Sequence, residues 1–137
     1  MFKTLLALSA LLLPVPASGQ TIITREEFHR IEVRKQKQEN WEIVRPFFVA
    51  NTLIHVADAY TTHICVKRPN CRETNSLYGS DKPSLKTIVG IKGATILGSY
   101  LISKKVSEFS PAAGVTFLGV SGVVTGKYVL GNIKILW

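Results

Sequence analysis

Carboxylates are scarce in this chain of 137 residues: nine Asp and Glu stand against seventeen Lys and Arg, a formal net charge of +8. In a soluble protein that balance points to nucleic acid. Here the basic residues sit mostly beside apolar segments, a placement that suits anionic lipid headgroups. No basic stripe interleaved with exposed aromatics is present, so nucleic acid is not an expected partner. Cysteine is as scarce: Cys65 and Cys71 are the only two, and they lack zinc-finger spacing. A glycine-rich phosphate loop and a GxSxG nucleophile motif are both missing, so the sequence carries no sign of P-loop or hydrolase chemistry. No cofactor is expected.

What is present is apolar. Hydrophobic residues make up 46% of the chain, and the mean hydropathy of +0.19 stays near globular values only because one charged segment dilutes the rest. The length suits a single domain. Residues 1–19 carry one basic residue, an apolar run from Leu5 to Leu13, then a Pro-rich tail with Ala17 and Gly19 at small-residue positions. That run is too short to span comfortably, so a cleaved signal peptide is expected, with Gln20 starting the mature chain. Residues 20–45 are strongly charged, and Thr24 with Glu27 has the spacing of a capping box. A charged amphipathic helix is expected from about Arg25 to Val44, exported and ending before Pro46. Its apolar residues hold no single clean stripe, so a solvated helix leading into the membrane is expected ahead of an interfacial one with Trp41 at headgroup depth.

Residues 46–66 are apolar enough to suggest a membrane helix, yet carry polar residues along their length. At about 100° per residue, Asn51, His55, Asp58, Thr62 and Cys65 fall within roughly 80° of arc, while Val49, Leu53, Val56 and Tyr60 take the opposite surface. An Asp at the centre of a membrane helix costs about 3 kcal/mol on the insertion scale, and is tolerated when it faces protein or water. A helix facing a bundle has this pattern, and so does an amphipathic helix lying on a surface. Periodicity alone leaves both open.

A polar loop follows, with turn signals at Pro69-Asn70 and Tyr78-Gly79-Ser80 and with Asp81 as the expected cap of the next helix. Membrane helices are expected over 85–103 and 112–131, the second opened by Ser110-Pro111. Gly90, Ala94 and Gly98 repeat every four residues, and Gly122 with Gly126 forms a GxxxG pair. Such small-residue stripes let another helix backbone approach closely, so both are expected to be packing faces. Lys92 lies on a second face with Thr95, Ser99 and Ser103. By its position it should reach the depth of Asp58 across an antiparallel hairpin.

Asp58, the Thr61-Thr62 pair and Glu73-x-Asn75 together resemble a family of small prokaryotic multi-helix membrane proteins known only as a domain of unknown function. The resemblance covers roughly residues 50–100, and Lys92 matches a lysine typical of that family's following helix. Ser76 stands where the family has Pro, and Asn70-Cys71 replaces its glycine region. The resemblance implies a membrane bundle and brings no activity with it.

Chemistry at these residues is weighed against packing. His55 and Asp58 are two ligands where zinc needs three or four, so no metal is expected. Neither cysteine has the base expected of a nucleophile. The expected role is non-catalytic: a packing, assembly or accessory subunit with a polar pocket formed by Asn51, His55, Asp58, Thr62, Glu73, Asn75 and Lys92. The rival is a small membrane enzyme or ion- or proton-translocating element using His55, Asp58 and Lys92. The expected partners are anionic lipids and a homo-oligomer or larger membrane complex. Fold class and location follow: an all-α bundle of about three membrane helices in a bacterial inner membrane. Cys65 and Cys71 pair if their loop is exported and stay reduced if it is cytoplasmic. An exported residue 20 followed by three crossings puts that loop in the cytoplasm; a surface-lying 46–66 puts it outside.

Overall fold

The computed structural model describes residues 23–73 and 75–136; the expected signal segment and Trp137 lie outside the described residues. The described chain is all α, with three long helices: α1 (Arg25–Val66), α2 (Leu85–Ser107) and α3 (Pro111–Leu136). A single 3-10 turn, Ser76–Tyr78, interrupts the loop before α2.

Each start has a local cause. At α1 the capping box is closed: the Glu27 N–H donates to Thr24 Oγ1 at 3.2 Å, and the Thr24 N–H donates to Glu27 Oε2 at 3.0 Å. Ser84, not Asp81, caps α2, accepting from the Thr87 N–H at 3.2 Å. Asp81 serves the loop instead, its carbonyl accepting from the Glu73 N–H at 2.8 Å. Pro111 is the first residue of α3, and the Ala113 N–H donates to Ser110 Oγ at 3.3 Å. The same proline ends α2 nearby, because it disfavours a helical conformation at Ser110.

The expected break at Pro46 does not occur; α1 runs through it for 42 residues. An interior proline costs a helix about 3 kcal/mol. Contacts on both sides of it hold the axis. Val44 is fully buried, against the position of Gly114, while Trp41 and Phe48 both meet Tyr100 edge to face, each with ring centroids 5.5 Å away. The later helices also outrun their expected ends, since Ser107 and Asn132 are tied into the structure beyond 103 and 131.

The three helices pack up, down, up. Asp58 beside Lys92 and Lys37 beside Glu108 set α1 and α2 antiparallel. Asn51 beside Leu118 and Asn132 beside Thr62 set α1 and α3 parallel. At 1.5 Å per residue α2 and α3 are about 35 and 39 Å long, and α1 about 63 Å. The first three turns of α1 therefore project past the α2–α3 turn.

Most buried side chains of this bundle are polar, and the exposed surface of 46–66, α2 and α3 is largely apolar. Buried side chains include Asn51, Asp58, Thr62, Lys92 and Ser103, whereas Leu53, Leu97 and Val123 are 64%, 59% and 76% exposed. Among the described residues two helices, not the expected three, are long and apolar enough by composition to cross a membrane: α2 and α3. The polar stripe and the charged half of α1 set that helix apart.

Candidate functional site

The site is the stripe on α1 and what the other two helices bring to it. Asn51, His55, Asp58, Thr62 and Cys65 are all buried along α1. Facing them, α2 turns Ile88, Lys92, Ser99, Ser103 and Ser107 inward, a set within roughly 100° of arc. One lysine therefore meets one aspartate: Lys92 Nζ pairs with Asp58 Oδ2, with the two side chains 9% and 2% exposed. Taking two charges out of water is expensive, and each makes the other tolerable there.

From α3 come neutral hydrogen-bonding groups. Asn51 Nδ2 donates to the Leu118 carbonyl at 3.0 Å, using the second lone pair of a helical carbonyl. Asn132 Nδ2 donates to Thr62 Oγ1 at 3.0 Å and to Thr61 Oγ1 at 3.3 Å. Ser121 Oγ lies 3.5 Å from His55 Nε2. Near Asn51 the helices approach closely because residue 122 is glycine: a Cβ there would sit 3.3 Å from Ile54 Cδ1.

The loop closes one end of the stripe. Cys65 and Cys71 are joined, their Cα atoms 5.4 Å apart, which folds the chain back over the end of α1. Tyr78 is buried with its ring centroid 5.8 Å from Lys92 Nζ. Burial first, then the Asp58 and Glu73 carboxylates, push its hydroxyl well above the usual tyrosine range. Glu73 and Asn75 build the loop itself: Glu73 Oε1 accepts from the Asn75 N–H at 2.8 Å, and Asn75 Oδ1 accepts from the Leu77 N–H at 3.1 Å. Gly79, at φ +64°, holds the left-handed turn that follows.

No family model, no curated protein and no solved structure matches this chain. The chemistry of the site is thus read from its own groups. Among the described residues no three His, Cys, Asp or Glu side chains gather as a metal site would require. Within the buried ionisable pair Asp58 is engaged through Oδ2 alone; Asp58 Oδ1, His55 Nδ1 and Glu73 Oε2 are buried without a hydrogen-bond partner.

The glycine expectations divide. Gly122 is a contact position, but Gly90, Gly98 and Gly126 have nothing within 4 Å of where a Cβ would stand, and Ala94 is exposed. The α2 stripe faces away from the bundle because α2 gives its Lys92–Ser103 face to α1. GxxxG spacing reports a permitted approach, and on α2 the pull of Asp58 on Lys92 decides the rotation. The close approach that sequence reasoning missed is Gly114, where a Cβ would lie 3.1 Å from Val44 Cγ2 and 3.4 Å from the Ser103 carbonyl. It was equally silent on the Trp41, Phe48 and Tyr100 cluster, because three aromatics on two helices have no local signal.

Proposed function

We propose that this chain is a small integral membrane protein of the bacterial inner membrane, a non-catalytic packing or accessory subunit whose inward polar stripe assembles its own helices. The observation that carries this reading is the inversion of polarity. In water, exposed Leu and Val with buried Asp, Lys and Asn would lose on both counts; in hydrocarbon the same arrangement is favourable. The stripe on 46–66 then reads as bundle-facing, because its polar side chains are turned to α2 and α3 rather than to water. Residues 46–66 lie abreast of α2 and α3, so all three segments cross together. The resemblance of Asp58, Thr61-Thr62 and Glu73-x-Asn75 to the small prokaryotic membrane family points the same way.

The Cys65–Cys71 disulfide supports an exported 67–84 loop, since such bonds persist in oxidising compartments. With three crossings the basic half of α1 then lies in the cytoplasm, the reverse of the expectation from a cleaved signal. Lysine and arginine distribution does not choose between the two orientations: six residues over 20–45 plus Lys104 and Lys105 fall inside, against five over 67–86, Lys127 and Lys134 outside. A cleaved signal and this sidedness exclude each other. Alkaline carbonate extraction with topology reporters at Gly79 and after Trp137 tests both points. Retention in the pellet with both reporters exported is expected; release into the supernatant refutes the membrane reading.

A second reading, proton or ion transfer through His55, Asp58 and Lys92, is favoured by the partnerless Asp58 Oδ1 and His55 Nδ1. Asp58→Leu combined with Lys92→Met separates the two. An assembly role tolerates the double change because neither charge is left buried and unpaired, whereas transfer is abolished in proton-flux measurements on vesicles.

A further inference from the structure

Between α1 and α3, on the outer side of the bundle, runs an open groove of about 770 Å³, within the roughly 300–1,000 Å³ typical of ligand pockets. Small residues leave the space: Ala57 on α1, and Gly126 and Gly131 on α3, where a Cβ at either glycine would meet nothing within 4 Å. The lining is apolar except for two ammonium groups, Lys127 and Lys134, seven positions apart on one face of α3. Both are exposed, and neither has an ion-pair partner among the described residues. Helix α3 has no acidic residue, and the Asp58 carboxylate of the neighbouring segment belongs to Lys92.

Two unpaired cations along an apolar groove ask for a ligand with an anionic head and a hydrocarbon tail. The register of α1 against α3, with Ser121 at His55 and Asn132 at Thr61, sets Lys127 about as deep as Asp58. Lys134 stands about 10 Å nearer the loop end. Lysines at such depths lead their ammonium groups toward the interface along their own alkyl stems. A phosphate near Lys134 serves both of them, while its acyl chain follows the floor left by Ala57 and the two glycines. We propose that this groove binds one anionic phospholipid, its phosphate held by Lys127 and Lys134 and an acyl chain lying across Ala57, Gly126 and Gly131. The proposal rests on the membrane reading above.

The test is native mass spectrometry of the full chain in detergent, titrated with phosphatidylglycerol or with phosphatidylcholine of the same acyl chains. One phosphatidylglycerol per chain is expected, retained roughly thirtyfold better than phosphatidylcholine, the preference two interfacial lysines confer. Lys127→Gln with Lys134→Gln removes the preference without touching the core. Gly126→Leu, which fills the groove from a position with open space, lowers retention of both lipids. Equal retention of the two lipids, a preference that survives the double Gln change, or indifference to Gly126→Leu overturns the proposal. Carbonate extraction of the membranes from which the chain is purified separates the two readings. A chain released by carbonate ends both, whereas a chain retained in the membrane without lipid preference ends only this one.

Discussion

Removing either member of the Asp58–Lys92 pair should cost far more than removing both. The two side chains are 2% and 9% exposed, and the pair is the contact through which α1 and α2 exchange charge in the interior. Asp58→Leu strands the Lys92 ammonium beside the Tyr78 ring, with no other carboxylate paired to it among the described residues. Breaking a buried pair from one side destabilises by about 3–5 kcal/mol, and Lys92→Met should do the same from the other. Replacing both by apolar residues of similar volume removes the desolvation penalty along with the attraction, so the double variant should lie within about 1 kcal/mol of wild type. The predicted coupling is therefore larger than either remaining loss. The assay is reversible unfolding in mixed micelles for all four proteins, read by helical signal and closed as a double-mutant cycle. Strictly additive losses refute the reasoning, because they mean that the two charges do not meet in the folded protein.

Three further outcomes follow from the geometry. Gly114→Ala should fall below Gly90→Ala by about 1–3 kcal/mol, because crowding against Val44 and the Ser103 carbonyl opposes a helix-propensity gain of up to about 1 kcal/mol that Gly90→Ala, in open space, keeps whole; unfolding in the same micelles compares them. Hydrogen bonds from Lys37 at 2.9 Å and Lys105 at 3.1 Å hold the Glu108 carboxyl below its usual value of 4.5. The folded pKa is the lower one, so this contribution is complete above 4.5 and is lost as pH falls through the depressed value; Glu108→Gln should remove that acid-side dependence from thermal melting curves. Cys65→Ser opens a short loop of six-residue separation and should cost about 2 kcal/mol by the loop-entropy relation, seen as a lower unfolding midpoint that reducing agent reproduces in wild type.

Local chemistry made the helix starts and the stripe legible. A Thr-x-x-Glu box, a Ser-Pro start and a five-residue polar arc each depend on neighbours within a few turns, and each is found on the described helices. What failed depended on distant partners. Pro46 marks a break only if nothing else holds the axis, and Tyr100 and Gly114, more than fifty residues away, supply what holds it. Gly90, Ala94 and Gly98 form as regular a stripe as any packing face, but one helix can present only one face to α1. That face is chosen by a buried charge, which outweighs small-residue spacing. Glu73 and Asn75 read from sequence as pocket residues; their oxygens are largely engaged in the turns of the loop itself.

The inverted polarity of the bundle is tested most directly by spin labels placed one at a time at outward Leu53, Leu97 and Val123 and at inward Thr62 and Ser103 of the full chain in lipid vesicles. Collision rates with oxygen and with a water-soluble nickel complex are compared. The outward labels should be mobile, open to oxygen and closed to nickel, and the inward labels immobile and closed to both. Outward labels readily reached by nickel would contradict the account, because the apolar surface would then face water.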